Sequence, residues 1–362
     1  MNANDILQDL NPAQHDAVIH RDGPMLVVAG AGSGKTRVLT HRIAHLIQED
    51  NVNPFQILAI TFTNKAAQEM KDRVAALVGP VAEKMWVSTF HSACVRILRR
   101  DAEQLGYPSA FSIYDQADAT RLTGYVVRDL GLDNKKFVAR SVHAHISNLK
   151  NELISTDTAL ERADGIFDRK VAEIYNEYQR RLRTAGAMDF DDLLTVTVEL
   201  FNNYPEALKH YQERFQHVLV DEYQDTNPAQ NDIVLKLGDK HRNVFVVGDS
   251  DQSVYAFRGA DIRNILEFEK AFPDTSVVVL DQNYRSTQTI LDAANSVISN
   301  NFGRKPKELW TDKSTGDKVI LYRADDEVDE AAWIIGELQR RHEHGGLRWS
   351  DVAIFYRANA QS

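Results

Sequence analysis

Five short apolar runs punctuate the chain, at residues 25–28, 57–62, 218–220, 244–247 and 277–280. Each is nearly continuous in apolar character rather than alternating. That is the pattern of strands covered on both faces, as in a parallel sheet. Helical stripes lie between the early runs. Val38, Leu39, Ile43, Leu46 and Ile47 share one face, and Ala67, Met70, Val74 and Leu77 share another. Alternation of strand and helix predicts an α/β fold with a doubly wound parallel sheet. From residue 107 to 186 no comparable apolar run occurs, and the charged, helically patterned sequence predicts an α-helical insertion. After residue 280 a second alternation starts, with a strand expected at 319–322, a helix at 330–340 and another strand at 352–356. The chain stops at Gln361-Ser362, where a further helix would begin, and it reads as truncated.

Composition narrows the class. The 362 residues are 43% hydrophobic and 26% charged, enough for two or three domains with cores of their own. A net charge of −10 argues against indiscriminate nucleic-acid binding but leaves room for a local groove. Cys94 is the single cysteine, so no internal disulfide forms and a reducing compartment fits. Met1-Asn2-Ala3-Asn4-Asp5 lacks the basic and apolar regions of a signal peptide, and no run reaches membrane-spanning length. The expectation is a cytoplasmic protein that does not engage membranes.

The first run leads into Ala29-Gly30-Ala31-Gly32-Ser33-Gly34-Lys35-Thr36, which opens a helix. Strand, glycine-rich turn and Lys-Thr are the parts of a phosphate-binding loop. Backbone N–H groups would wrap phosphate oxygens, Lys35 would reach the β and γ phosphates, and Thr36 would ligate Mg²⁺. Ala29 stands where the usual pattern has glycine, which the loop tolerates only with negative φ there. The run at 218–220 ends in Asp221-Glu222, at the strand end where α/β sheets bind ligands. Beside a phosphate loop, Asp221 reads as a metal ligand and Glu222 as the base for the attacking water; alone, the pair would read as a solvated turn.

Further loops follow the remaining runs. Gly248-Asp249-Ser250-Asp251-Gln252-Ser253 offers an uncharged amide, Gln252, able to sense a γ-phosphate. Tyr255, Phe257 and Arg258 come next, suited to base stacking and phosphate contact, or equally to a core aromatic pair. In Asn283-Tyr284-Arg285-Ser286, Arg285 could meet the γ-phosphate and Tyr284 an adenine. Gln14, in Asn11-Pro12-Ala13-Gln14, carries the donor and acceptor that an adenine edge requires, although Asn-Pro is equally a helix start. Thr61-Phe62-Thr63-Asn64-Lys65 and Ser88-Thr89-Phe90-His91-Ser92 combine hydroxyls and aromatics at helix starts. They fit a nucleic-acid strand, and they also fit helix caps that need no ligand.

Taken in order, these motifs, together with Met188-Asp189-Phe190-Asp191-Asp192-Leu193 and Val220-Asp221-Glu222-Tyr223-Gln224-Asp225, resemble the UvrD/PcrA/Rep family of superfamily 1 DNA helicases over the whole chain. The resemblance implies RecA-like motor domains, ATP and Mg²⁺ as cofactors, and 3′–5′ translocation on single-stranded DNA and at single-strand/duplex junctions. DNA repair or replication is the setting it implies, with repair proteins as partners. It places a first motor domain at 1–106 and 187–280, a helical insertion at 107–186, and the start of a second motor domain at 281–362. It assigns Lys35, Glu222, Gln252 and Arg285 to catalysis, and Thr36 and Asp221 to the metal. Residues 29–37, ending in Arg37, would bind nucleotide with Gln14, Tyr284 and Arg285. Phe62, Thr63, Asn64, His91, Tyr255, Phe257 and Arg258 would face DNA, with Phe257 standing where many members have Trp. The family's last two motor motifs and second helical insertion do not occur in the chain. The fragment is therefore expected to bind nucleotide, hydrolyse it poorly and leave duplex unwound. Two other functions share these motifs: the helicase subunit of a helicase–nuclease, and an ATP-gated clamp on single-stranded DNA.

Overall fold

The structure, a computed structural model, describes residues 6–356; residues 1–5 and 357–362, Gln361-Ser362 among them, fall outside it. Six strands form one wholly parallel sheet: β1 (Met25–Ala29), β2 (Ile57–Thr61), β3 (Trp86–Thr89), β6 (His217–Val220), β7 (Val244–Gly248) and β8 (Ser276–Leu280), in the order β3-β2-β6-β7-β1-β8. Successive residues of the central strands enter opposite cores. Met25, Val27, Ile57, Ala59 and Leu219 pack against the helices Lys35–Gln48 and Asn64–Val78. Leu26, Val28, Leu58, Ile60, Val218 and Val220 pack against Phe90–Asp101, Phe190–Asn203 and Pro228–Gly238. Two-sided cover is why these strands read as continuous apolar runs.

β8 departs from that expectation. It is an edge strand, paired only with β1 among the described residues, and Val277 and Val279 are 42% and 39% exposed. β3 was invisible as an apolar run because two of its four residues, Ser88 and Thr89, carry hydroxyls.

The segment after β3 is largely helical. Gln116–Asp129, Ala139–Asn151, Thr156–Glu161 and Ile166–Thr184 enclose a core of their own built on Val126, Val142, Ile146, Ile174, Tyr178 and Leu182. A feature without a sequence signal closes this segment. β4 (Ser112–Tyr114) pairs in parallel with β5 (Ala187–Asp189), tying its two ends together. Gly186 makes the turn into β5 at φ 59°, and a Cβ there would stand 2.9 Å from the Pro108 ring.

Residues 315–356 form a separate unit. Its helix, Glu327–Gly345, extends beyond the expected 330–340 and is capped by the Asp326 carboxylate, which accepts from Val328 and Asp329 N–H. Tyr322 stacks on Trp333 with centroids 4.6 Å apart. Residues 319–322 and 352–356 are not strands: neither run has a ladder partner among the described residues. Apolar content favours extended backbone, but a strand exists only with a neighbour to accept its hydrogen bonds.

His217, at the start of β6, has its pKa lowered from 6.5 to about 4, first by burial and then by the Arg42 charge. The folded chain thus keeps this ring neutral where the unfolded chain protonates it. The stability it contributes is present above pH 6.5 and is lost as pH falls towards about 4. His217→Gln is expected to flatten the acid loss in this window. Urea midpoints at pH 7.5 and pH 5 that shift equally in both proteins would refute this.

Candidate nucleotide and nucleic-acid site

The chain leaves β1 through Gly30 and turns at Gly32 (φ 68°) and Gly34 (φ 91°), left-handed conformations that favour glycine. Ala29 lies within β1 and is not among the residues with positive φ, so its methyl group is unstrained. Ser33 Oγ donates to Gly30 O (2.8 Å) and closes the turn. Lys35 then starts its helix, with Thr36 and Arg37 in the first turn; Arg37 lies 3.6 Å from Asp9.

Gln14 supports this loop from beneath. It is buried, its Nε2 donates to Ser33 O (2.8 Å), and its Oε1 accepts the Asn11 N–H (3.1 Å) in a capping box. One amide proton and one lone pair remain for a ligand. From above comes the segment after β8. Asn283 Nδ2 donates to Ala31 O (2.5 Å), and Tyr284 N donates to Gly32 O (3.0 Å). The Tyr284 hydroxyl lies 2.9 Å from both Asn11 Nδ2 and Gln282 Oε1. A Cβ on Gly32 would stand 2.9 Å from Arg285 Cβ, so Arg285 also borders the loop.

Lys35 Nζ donates to Glu222 Oε2 at 2.6 Å, so the sheet brings the phosphate loop to the end of β6. Glu222 sits at φ 51°, unusual for a side chain with a Cβ. Asp221 is nearly buried, and its pKa rises to about 6, first through burial and then through the Glu222 charge. Gln224 Nε2 donates to Glu222 Oε2 (2.9 Å) and to Asp225 Oδ2 (3.1 Å), while its Oε1 accepts Asp249 N–H (2.9 Å). Gln252 donates to Asp249 Oδ2 and stays at the end of its own strand.

Sequence reading missed what holds Asp249. The Lys307 side chain, 1% exposed, places Nζ 2.6 Å from both Asp249 Oδ1 and Asp251 Oδ2, and Arg304 adds a 2.8 Å pair to Asp251. No local pattern connects residues more than 50 positions apart.

The aromatic residues converge on a second hollow. Phe62 stacks on Tyr255 at 5.4 Å, and Tyr255 lies 6.0 Å from Phe257. Together with Thr63 and His91 they line a cleft of about 630 Å³. Thr63 also caps its helix by accepting Ala66 N–H (3.1 Å), so cap and lining are one residue. Asn64 is exposed outside this lining, and the side chain of Arg258 is not among the described ones. His91 packs on Phe190, and burial lowers its pKa. One wall was not anticipated: His143, Ser147 and Asn151 of the helix Ala139–Asn151. Their spacing, opposite Val142 and Ile146, is a polar stripe that periodicity could have shown. The floor includes Asp225 and Asn227, and Asn227 Nδ2 donates to Asn151 Oδ1 (2.5 Å).

A parallel sheet that ends β1 in a phosphate-type loop, with its lysine paired to the acidic end of β6, defines a RecA-like nucleotide-binding fold. The chain belongs to the UvrD-like helicase family. The UvrD/REP helicase N-terminal domain matches residues 10–273, and the UvrD-like helicase C-terminal domain matches residues 278–362. It is 52% identical over 360 residues to the ATP-dependent DNA helicase PcrA of Bacillus subtilis (strain 168), covering 99% of this chain and 49% of that protein. PcrA of Staphylococcus aureus (strain Mu50) is 52% identical and that of Staphylococcus epidermidis 51%, over 359 residues in each case, again 99% of this chain and 49% of the relative. The chain thus spans about half the length of the curated relatives it matches. No helix among the described residues is long and apolar enough to cross a membrane.

Proposed function

We propose that the chain is the nucleotide- and strand-binding part of an ATP-dependent DNA helicase that moves 3′ to 5′ along single-stranded DNA in repair or replication, in the cytoplasm. One observation carries the reading. Glu222, paired with Lys35, is only three residues from Asp225, which lines the cleft of Phe62 and Tyr255. A change at the phosphate loop is therefore within reach of an aromatic cleft.

In this reading Lys35 and Arg285 neutralise the β and γ phosphates, and the N–H groups of residues 30–36 wrap them. Gln14, Arg37 and Tyr284 frame the base. Glu222 orients the attacking water and takes its proton. Thr36 and Asp221 would hold Mg²⁺; one hydroxyl and one carboxylate, both hard oxygen donors, fit an ion that keeps waters and phosphate oxygens in its shell. That ion supplies charge neutralisation at the phosphates. Gln252 senses the γ-phosphate. Phe62, His91, Tyr255 and Phe257 hold unpaired bases, with Thr63, Asn64 and Arg258 at the strand backbone. Residues 1–106 and 187–280 form the first motor domain, 107–186 the insertion, and 281–362 the start of the second. Single-strand/duplex junctions are the natural substrate, and repair proteins the natural partners.

The test is ATP hydrolysis by the full-length protein with and without oligo-dT. Stimulation by the oligonucleotide that disappears in Lys35→Ala supports the reading; ATPase indifferent to DNA sinks it. Base–aromatic stacking is worth about 1–3 kcal/mol per base, so Tyr255→Ala should weaken oligo-dT binding roughly 5- to 150-fold. Fluorescence anisotropy showing an unchanged Kd would remove Tyr255 from the strand path.

A further inference from the structure

The buried amide of Gln224 joins three acidic residues, Glu222, Asp225 and Asp249. Its side chain is 1% exposed, and three hydrogen bonds occupy it: two donated to Glu222 and Asp225, one accepted from Asp249 N–H. Each partner leads elsewhere. Glu222 Oε2 is also the acceptor for Lys35. Asp225 lines the aromatic cleft, and the Tyr255 backbone N–H donates to its carboxylate. Asp249 holds the Gln252 amide on its carboxylate.

Resting on the function proposed above, we propose that Gln224 is a positioning residue. It transmits the state of the phosphate loop to the strand cleft through Asp225 and to Gln252 through Asp249. The coupling arises at a shared acceptor. Lys35 and Gln224 are two donors on a single oxygen of Glu222. When Lys35 turns to a phosphate, Gln224 is left as the donor to that oxygen, and its second N–H must follow the movement of the first, because the amide is planar. Asp225 then loses or shifts its donor, and with it the anchor of the Tyr255 backbone. Asp225 is 6% exposed, so leaving its carboxylate without that donor is costly and favours a rearrangement of its neighbours. The backbone keeps the amide in place: a Cβ on Gly248 would lie 2.7 Å from Gln224 Oε1.

The measurement is oligo-dT affinity, by anisotropy, without nucleotide and with a saturating non-hydrolysable ATP analogue and Mg²⁺. In the full-length wild-type protein the two affinities should differ by roughly 5–150-fold, the usual range of coupling between sites. Gln224→Met keeps the length and loses all three hydrogen bonds. It should bring the ratio close to one while each ligand alone binds within about threefold of wild type, a pattern that simple loss of folding would not produce. Should that variant fail to fold, Gly248→Ala displaces the same amide and is expected to lower the ratio too. A ratio retained by whichever variant folds overturns the assignment. A wild-type protein that binds both ligands without mutual effect overturns it alone; one that binds neither overturns the motor reading as well.

Discussion

Glutamine in place of Glu222 is expected to leave nucleotide binding intact and to cut DNA-stimulated ATP turnover roughly 10²–10⁴-fold, the usual weight of a positioned general base. The size of the loss follows from the role. The amide keeps the shape and can still orient a water, but it cannot take the proton. Retained binding follows from the geometry. Lys35 is held 2.6 Å from Glu222, so a nucleotide must compete with that carboxylate for the lysine. Removing the charge removes the competitor, and affinity for ATP should hold or rise. Lys35→Met should do the reverse and lose affinity with turnover. Glutamine places the same demand on the backbone as glutamate at φ 51°, so the substitution does not disturb the turn. Calorimetry with ATP and steady-state hydrolysis with oligo-dT separate the two effects. Turnover near wild type in the Glu222→Gln protein would show that the proton goes elsewhere.

What could be read ahead of the structure were features with local causes. β1 and the turn to Lys35 follow from four buried apolar residues and glycines at the two left-handed positions, 32 and 34. The meeting of Lys35 with Glu222 follows from a parallel sheet, which places all its strand ends on one side. The errors have local causes too. Val277 and Val279 suit a strand whether or not they are covered, so an edge strand passed for a buried one. Residues 319–322 and 352–356 have strand composition but no ladder, and composition cannot supply a neighbour. Other features were beyond a linear reading altogether. Lys307 meets Asp249, and Asn151 meets Asn227, only because the chain folds. Gln224 is a polar residue in a polar loop until its burial is known.

Lys150 gives the largest expected effect on stability. It ends the helix Ala139–Asn151, is 1% exposed, and lies 2.8 Å from both Asp189 and Asp192. Tyr178 OH donates to Asp189 (2.7 Å), and Gln179 to Asp192 (2.9 Å). Burial works against the ammonium, but the two carboxylates more than offset it and hold the Lys150 pKa above its ordinary value. One lysine cannot fully serve two carboxylates. Burial, then the Asp189 charge, raises Asp192 to about 6, despite Lys150. Lys150→Met removes the only cation among these contacts and strands two buried charges. The expected cost is about 3–5 kcal/mol at pH 8, by analogy with other buried pairs broken on one side. The folded state binds a proton at Asp192 more readily than the unfolded chain does, so lowering the pH below 6 favours folding at this site. The deficit of the variant should therefore shrink at pH 5. Adding Asp189→Asn and Asp192→Asn should recover much of it at pH 8, because neutral amides cost less to bury than unpaired carboxylates. Hydrogen exchange along Ala139–Asn151 and Ile166–Thr184 reads the loss locally, without requiring the whole chain to unfold in one step. Exchange rates in the single variant that match the wild type at pH 8 would mean that water, not Lys150, balances these two carboxylates.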